Sequence, residues 1–207
     1  MNRNITINAY NKTAQTYYEK SLKYAPVPER EKFVSLVKPG GTILDAGCGP
    51  GRDTNFFASH GYTATGIDLS EGLLSIAKEH AVPGATFELM DLRNITFPDN
   101  LFDGIWACAS LLHLTHDELP EVFKKFHALL KENGVLFVMV KEGEGERMVE
   151  GGTTVGESRF FSYYSLDELK QHVEDVGFTV TDSYVWDQHD RDSERPHENW
   201  IALYAHS

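Results

Sequence analysis

The sequence predicts an α/β fold built on a doubly wound, mostly parallel sheet. Three observations carry that expectation. Short apolar runs alternate with helical patterns from residue 42 to residue 141, and strands separated by helix-length segments pair in parallel. A glycine-rich turn, Asp45-Ala-Gly47-Cys-Gly49-Pro-Gly51-Arg52, follows the first of those runs. Two final apolar runs have no helix between them, so they must be antiparallel to each other, with one running against the sheet.

Each element has its own signal. Tyr10, Ala14, Tyr17 and Tyr18 recur at helical spacing and predict one helix over 8–24. Pro26 and Pro28 break it, and Phe33, Val34 and Val37 form a second apolar stripe before Pro39-Gly40-Gly41. Thr42–Ala46, Ala64–Ile67, Thr86–Met90, Ile105–Ala109 and Val135–Val140 read as strands. Ser70 starts a helix carrying Leu73, Leu74 and Ala77. Thr115-His-Asp-Glu118 has the pattern of a capping box before the Leu119–Leu130 helix, with Asn133-Gly134 as its expected C-cap. Residues 142–162 are rich in glycine and charge, then aromatic. They are too long for an ordinary connection and suggest a functional insertion. Ser165-Leu-Asp-Glu168 caps another helix, ended by Gly177. Phe178–Trp186 and Trp200–Ala205 are the last strands, joined by a polar segment read as a solvated loop. The whole reads as one domain: a helical lid (1–38), a core (40–141), the insertion (142–162), and a C-terminal helix and hairpin (163–207).

Composition narrows the function. The chain has 207 residues and a formal net charge of -12, which argues against duplex binding, since that needs basic groups to replace condensed counterions. No run reaches the ~18 apolar residues of a membrane span, and the N-terminal stretch lacks an apolar signal-peptide core. A soluble, cytoplasmic protein is expected. Cys48 and Cys108 are the only cysteines, too few for a disulfide framework. His189, Asp190, Asp192, His197 and Glu198 match no ligand spacing, so no metal site is expected.

The chemistry begins at the glycine turn. Glycines let a backbone approach a ligand closely, and the following helix N-terminus offers free N–H groups. In a dinucleotide fingerprint the third glycine would fall where Arg52 stands. Asp45 places a carboxylate beside the loop, suited to an amine-bearing ligand. Asp68 ends the second strand about twenty residues further on, where an acid accepts both ribose hydroxyls. Asp91 ends the third strand, where it can receive the exocyclic amine of adenine while Leu92 packs on the ring.

These motifs, with Gly66-Ile-Asp68-Leu69-Ser70, Phe102-Asp-Gly-Ile105 and Leu130-Lys-Glu-Asn-Gly134-Val-Leu, resemble the ordered motifs of class I S-adenosylmethionine-dependent methyltransferases. The resemblance covers roughly residues 40–141. It implies a Rossmann-like, seven-stranded sheet ending in an antiparallel hairpin. It implies S-adenosyl-L-methionine as cofactor, with Gly47, Gly49 and Gly51 lining its methionine side and Asp45 near its ammonium. Asp68 would hold the ribose, Asp91 and Leu92 the adenine, and Ala107 and Ser110 would flank the sulfonium. Cys48 and Arg52 in the loop and Leu69 beside Asp68 join that set. Tyr10 and Tyr17 become candidates for a lid over the cofactor.

Methyl transfer from a sulfonium is an in-line displacement, in which alignment and water exclusion matter most. A base helps only if the acceptor loses a proton, and His113, after the fourth strand, is the candidate. That strand ends in Ala107-Cys-Ala-Ser110 instead of the Asn/Asp-Pro-Pro-aromatic motif of exocyclic-amine methylases, which points away from nucleic acid. Arg147, Arg159, Tyr163 and Tyr164 form an expected acceptor pocket for a small carboxylate or phosphate. The charge is uneven: residues 1–140 carry 13 basic and 16 acidic groups, and residues 141–207 carry 6 and 15. A neutral or cationic acceptor therefore competes with an anionic one. The expected function is methylation of a small-molecule acceptor by a monomer or homodimer. The alternatives are a nicotinamide-dependent oxidoreductase and a non-catalytic S-adenosylmethionine-binding protein.

Overall fold

The computed structural model describes residues 2–207. The chain opens with three helices, α1 (Asn2–Lys12), α2 (Ala14–Lys23) and α3 (Val27–Leu36). The single helix expected over 8–24 is thus two. They break at Thr13, whose hydroxyl donates to the Ala9 carbonyl at 2.7 Å. A side chain that bonds back to its own helix competes with the backbone ladder.

β1 (Thr42–Ala46), α4 (Arg52–Ser59), β2 (Thr63–Asp68), α5 (Glu71–Glu79), β3 (Ala85–Leu89) and β4 (Phe102–Cys108) follow in the expected rhythm. Ser70 caps α5 by accepting from the Leu73 amide, one of the free N–H groups of a helix start. Then come α6 (Leu119–Leu129) and β5 (Leu130–Lys141). Two caps differ from expectation. The Glu118 carboxylate does accept from the Thr115 amide at 2.9 Å, but it closes a turn before α6. Asn133-Gly134 does not end α6, because Leu130 already pairs with Phe102; Asn133, at φ +60°, turns the chain inside β5 instead.

The insertion is ordered as β6 (Glu146–Gly151) and β7 (Thr154–Ser162), an antiparallel hairpin joined by Gly152-Thr153. α7 (Leu166–Glu174) carries the complete Ser165–Glu168 capping box. β8 (Thr179–Asp187), the short α8 (Gln188–Arg191) and β9 (Asn199–His206) end the chain.

The main sheet has seven strands in the order β3-β2-β1-β4-β5-β9-β8. β9 runs antiparallel to both β5 and β8, and all other pairs are parallel. Strand order reverses between β1 and β4, where open α/β sheets bind ligands beyond the carboxyl ends of their strands. β8 shares the direction of β5, so its C-terminal end lies on that same edge.

Aromatic residues brace the sheet beneath. Trp106 stacks on Phe137 with centroids 4.0 Å apart, and Phe33 from α3 meets both rings. Such contacts contribute roughly 0.5–1.5 kcal/mol each beyond their burial.

Candidate functional site

A cavity of about 700 Å³ opens over the carboxyl edge of the sheet. The glycine loop forms its floor. Gly47 has φ +85°, and a Cβ there would lie 2.2 Å from the Ser110 Cβ. Only glycine lets the β1 and β4 turns touch this closely. Above Gly49 the space is open: a Cβ would meet only Tyr17 at 3.7 Å and Leu73 at 3.9 Å.

Two acids face this floor. Asp45 is 2% exposed and accepts from the Thr54 hydroxyl at 2.6 Å. Burial, then repulsion from Asp53, pushes its carboxyl well above the usual range. Asp68 accepts from the Gly49 amide and the Ser70 amide, each at 2.8 Å. Burial still raises its carboxyl, against both of those bonds. Asp68 thereby fixes the loop and still keeps lone pairs for further donors.

Asp91 is more heavily engaged. Its oxygens accept from Arg93 Nε at 2.8 Å and Nη2 at 2.9 Å, and from Arg3 at 3.2 Å. Burial works against its charge, yet the Arg93 bonds hold the carboxyl below its usual value. Asp91 does stand on the cavity wall, as do Leu69 and Leu92.

The roof comes from α1, α2 and the hairpin. Tyr10 meets Tyr17 edge-on, with centroids 5.0 Å apart. The Tyr10 hydroxyl lies 2.8 Å from His113 Nε2, and Arg159 Nη1 donates to the same oxygen at 3.0 Å. His113 Nδ1 is 2.7 Å from the Phe160 carbonyl. A carbonyl only accepts, so Nδ1 carries the proton and Nε2 accepts from Tyr10. Burial, reinforced by the nearby Arg159 and Lys141 cations, pushes the imidazole down to about 3.

The structure thus brings Tyr17, Asp45, Gly47, Cys48, Gly49 and Arg52 to one cavity, with Asp68, Ser110, His113 and Arg159. Five expected residues are elsewhere. Gly51 points away, and a Cβ on it would strike the Phe87 ring at 2.7 Å. Ala107 is fully buried in the core, while Cys108 and Ala109 reach the cavity. Arg147 is exposed and lies over the Tyr163 ring, 3.6 Å from its centroid. Tyr163 and Tyr164 belong to the core beneath the hairpin, and Tyr164 stacks on His116. His116 is half-buried there.

Cys48 and Cys108 both line the cavity, and burial raises both thiols, so neither is a thiolate nucleophile. Residues from the polar segment between β8 and β9, expected to be a solvated loop, also reach the wall, among them Gln188 and Glu198, together with Trp186, Trp200 and Lys141. Lys141 pairs with Glu198 at 2.5 Å. The signal for them was the direction of β8, which returns its C-terminal end to the ligand edge.

Residues 43–134 match the family model of the methyltransferase domain. A wheat (Triticum aestivum) phosphoethanolamine N-methyltransferase is 32% identical over 156 residues, 72% of this chain and 30% of that protein. A Coxiella burnetii ubiquinone biosynthesis O-methyltransferase is 31% identical over 137 residues, 62% of this chain and 58% of that protein. The chain therefore spans less than two thirds of either relative. The crystal structure of a SAM-dependent methyltransferase from Methanosarcina mazei shares the fold with a TM-score of 0.75 at 20% identity, covering 88% of this chain and 97% of that one. Over residues 43–134 the chain is thus similar to methyltransferase domains, and it shares the fold of solved S-adenosylmethionine-dependent methyltransferases.

The cavity suits that cofactor. The Ser110 hydroxyl is buried beside Gly47 with no hydrogen-bond partner in the described residues, and a buried polar atom without a partner is costly unless a ligand supplies one. Asp45 and Asp68 are acceptors for an ammonium and for hydroxyls. Asp91 fits less simply, because both of its oxygens already have arginine donors.

Proposed function

We propose that this protein transfers a methyl group from S-adenosylmethionine to a small-molecule acceptor that carries an anionic group, a phosphate or a carboxylate. The observation that carries this reading is Arg159. It is 7% exposed and lines the cavity, and no carboxylate pairs with it among the described residues. Its bonds go to the Tyr10 hydroxyl and, at 3.1 Å, to the Gly151 carbonyl. A buried guanidinium without a counter-ion is expensive, and an anionic ligand would offset that cost. The wheat relative is named for phosphoethanolamine and the Coxiella relative for ubiquinone biosynthesis. Both names support a small acceptor, and the first supports an anionic one.

When bound, the cofactor supplies an electrophilic methyl group on a sulfonium. The chain's residues do the rest. Asp45, Asp68 and the Gly47–Gly49 backbone orient the donor, and α1, α2 and the hairpin exclude water. Arg159 fixes the anionic end of the acceptor. A proton leaving the acceptor passes to the Tyr10 oxygen while the Tyr10 proton moves to His113 Nε2. A neutral His113 is the form that can receive it.

The test is transfer of labelled methyl from S-adenosylmethionine to phosphoethanolamine and to ethanolamine. The phosphorylated compound should be preferred, and Arg159→Gln should raise its KM at least tenfold with cofactor affinity unchanged. Preference for the neutral-ended compound, or an Arg159→Gln enzyme indistinguishable from the parent, would overturn the anionic reading.

A further inference from the structure

Arg52 stands where a dinucleotide fingerprint has its third glycine, and its donors point away from the glycine loop. Nε donates to Asp53 Oδ1 at 2.9 Å and Nη2 to Asp53 Oδ2 at 2.6 Å. Nη1 donates to the Ser21 carbonyl at 2.9 Å and the Tyr24 carbonyl at 3.3 Å. Those carbonyls lie at the C-terminal end of α2, where the last turn runs short of backbone donors; the Ser21 carbonyl has one other, the Tyr24 amide at 3.2 Å. A cation there also meets the negative end of the helix dipole.

Asp53 is fixed in its turn. It is 5% exposed and also accepts from Arg30 of α3 and from the Trp106 indole of β4, each at 3.2 Å. Arg52 therefore links a rigid anchor in the core to the end of a roof helix. That helix carries Tyr17, whose ring covers Gly49.

We infer that Arg52 is a positioning residue of the cofactor site, which clamps the end of α2 to the start of α4 and so holds Tyr17 over the glycine loop. The inference rests on the reading of that loop as the cofactor floor. It replaces the direct cofactor contact expected from the sequence with an action through α2. A lysine has one nitrogen and cannot serve Asp53 and both carbonyls together.

The experiment is a double-mutant cycle on S-adenosylhomocysteine affinity, using the full chain, Arg52→Gln, Tyr17→Ala and the double variant. Arg52→Lys is a second single variant that retains the charge beside Asp53. Each of Arg52→Gln and Tyr17→Ala should weaken binding about tenfold, and the double variant should be no worse than about tenfold, because both lose the same contact. Arg52→Lys should fall between Arg52→Gln and the parent. Amide exchange over residues 14–24 should quicken in both Arg52 variants and not elsewhere in the sheet. Additive losses, about a hundredfold in the double variant, would mean that Arg52 acts on the cofactor independently of Tyr17 and would overturn the inference. So would parental affinity in both Arg52 variants. Failure of the parent protein to bind S-adenosylhomocysteine would instead overturn the cofactor reading beneath it.

Discussion

The Tyr10 hydroxyl sits 2.8 Å from His113 Nε2 and joins the first helix of the chain to the turn that follows β4. The pair is separated by 103 residues in sequence. It closes the roof over the sheet edge and sets the proton inventory of the site. Arg159 can only donate, so the Tyr10 proton must point at His113.

Replacing Tyr10 by Phe removes the oxygen but keeps the ring against Tyr17. The expected outcome is a kcat at least tenfold lower, within the usual range for losing proton-transfer assistance. Cofactor affinity should stay within about threefold. Steady-state kinetics with a proton-bearing acceptor, beside calorimetry with S-adenosylhomocysteine, checks both. An unchanged kcat would remove Tyr10 and His113 from the chemistry.

His113 also makes a pH prediction. Its folded value, about 3, lies below the ordinary imidazole value of 6.5. Between the two, the unfolded chain binds a proton that the folded chain refuses. Stability is therefore fully present above about pH 6.5 and is lost as pH falls toward 3, by about 1.4 kcal/mol per unit. Denaturant midpoints between pH 6.5 and 4.5 should fall more steeply for the parent than for His113→Gln. Parallel slopes would show that His113 is not buried as a neutral ring.

Gly47→Ala tests the contact between the two turns. A side chain at φ +85° is strained, and its Cβ would lie 2.2 Å from that of Ser110. A loss of at least about 2 kcal/mol in unfolding free energy is expected. A loss below about 0.5 kcal/mol would mean that β1 and β4 do not approach this closely.

Arg147→Ala serves as the contrast to Arg159→Gln. Arg147 is exposed, donates to the Glu144 carbonyl at 3.2 Å and covers Tyr163 from outside. Its loss should change kcat/KM less than twofold and stability by no more than about 1 kcal/mol. A large rise in acceptor KM would place it in the pocket after all.

Much of this architecture is legible in the sequence, for a physical reason. β1 and its glycine turn, the Ser70 cap and the acids at positions 45, 68 and 91 are local features, set by propensity, capping and strand ends. Two kinds of information were not local. Whether a side chain faces the cavity depends on how a strand meets its neighbours, which is why Ala107 faces the core while Ser110 reaches the cavity. Arg147 and Arg159 are alike in sequence and share one face of the hairpin, opposite Phe161 and Val149; α1, whose Tyr10 meets Arg159, covers one and leaves the other exposed. The hairpin carried one usable signal, the Gly-Gly-Thr turn at 151–153. The cavity wall from β8 and β9 was signalled only by the direction of β8, because the polar connection itself looks the same whether it faces solvent or ligand.

The central claim is that the loop after β1 and the acid after β2 hold S-adenosylmethionine. Calorimetric titration with S-adenosylhomocysteine, repeated with NADH and with the Asp68→Ala variant, tests it most directly. One molecule of S-adenosylhomocysteine should bind per chain and NADH should not. Asp68→Ala should bind at least about tenfold more weakly, the scale of losing charge-assisted hydrogen bonds. No binding of S-adenosylhomocysteine, displacement of it by NADH, or full affinity in the Asp68→Ala protein would contradict the account.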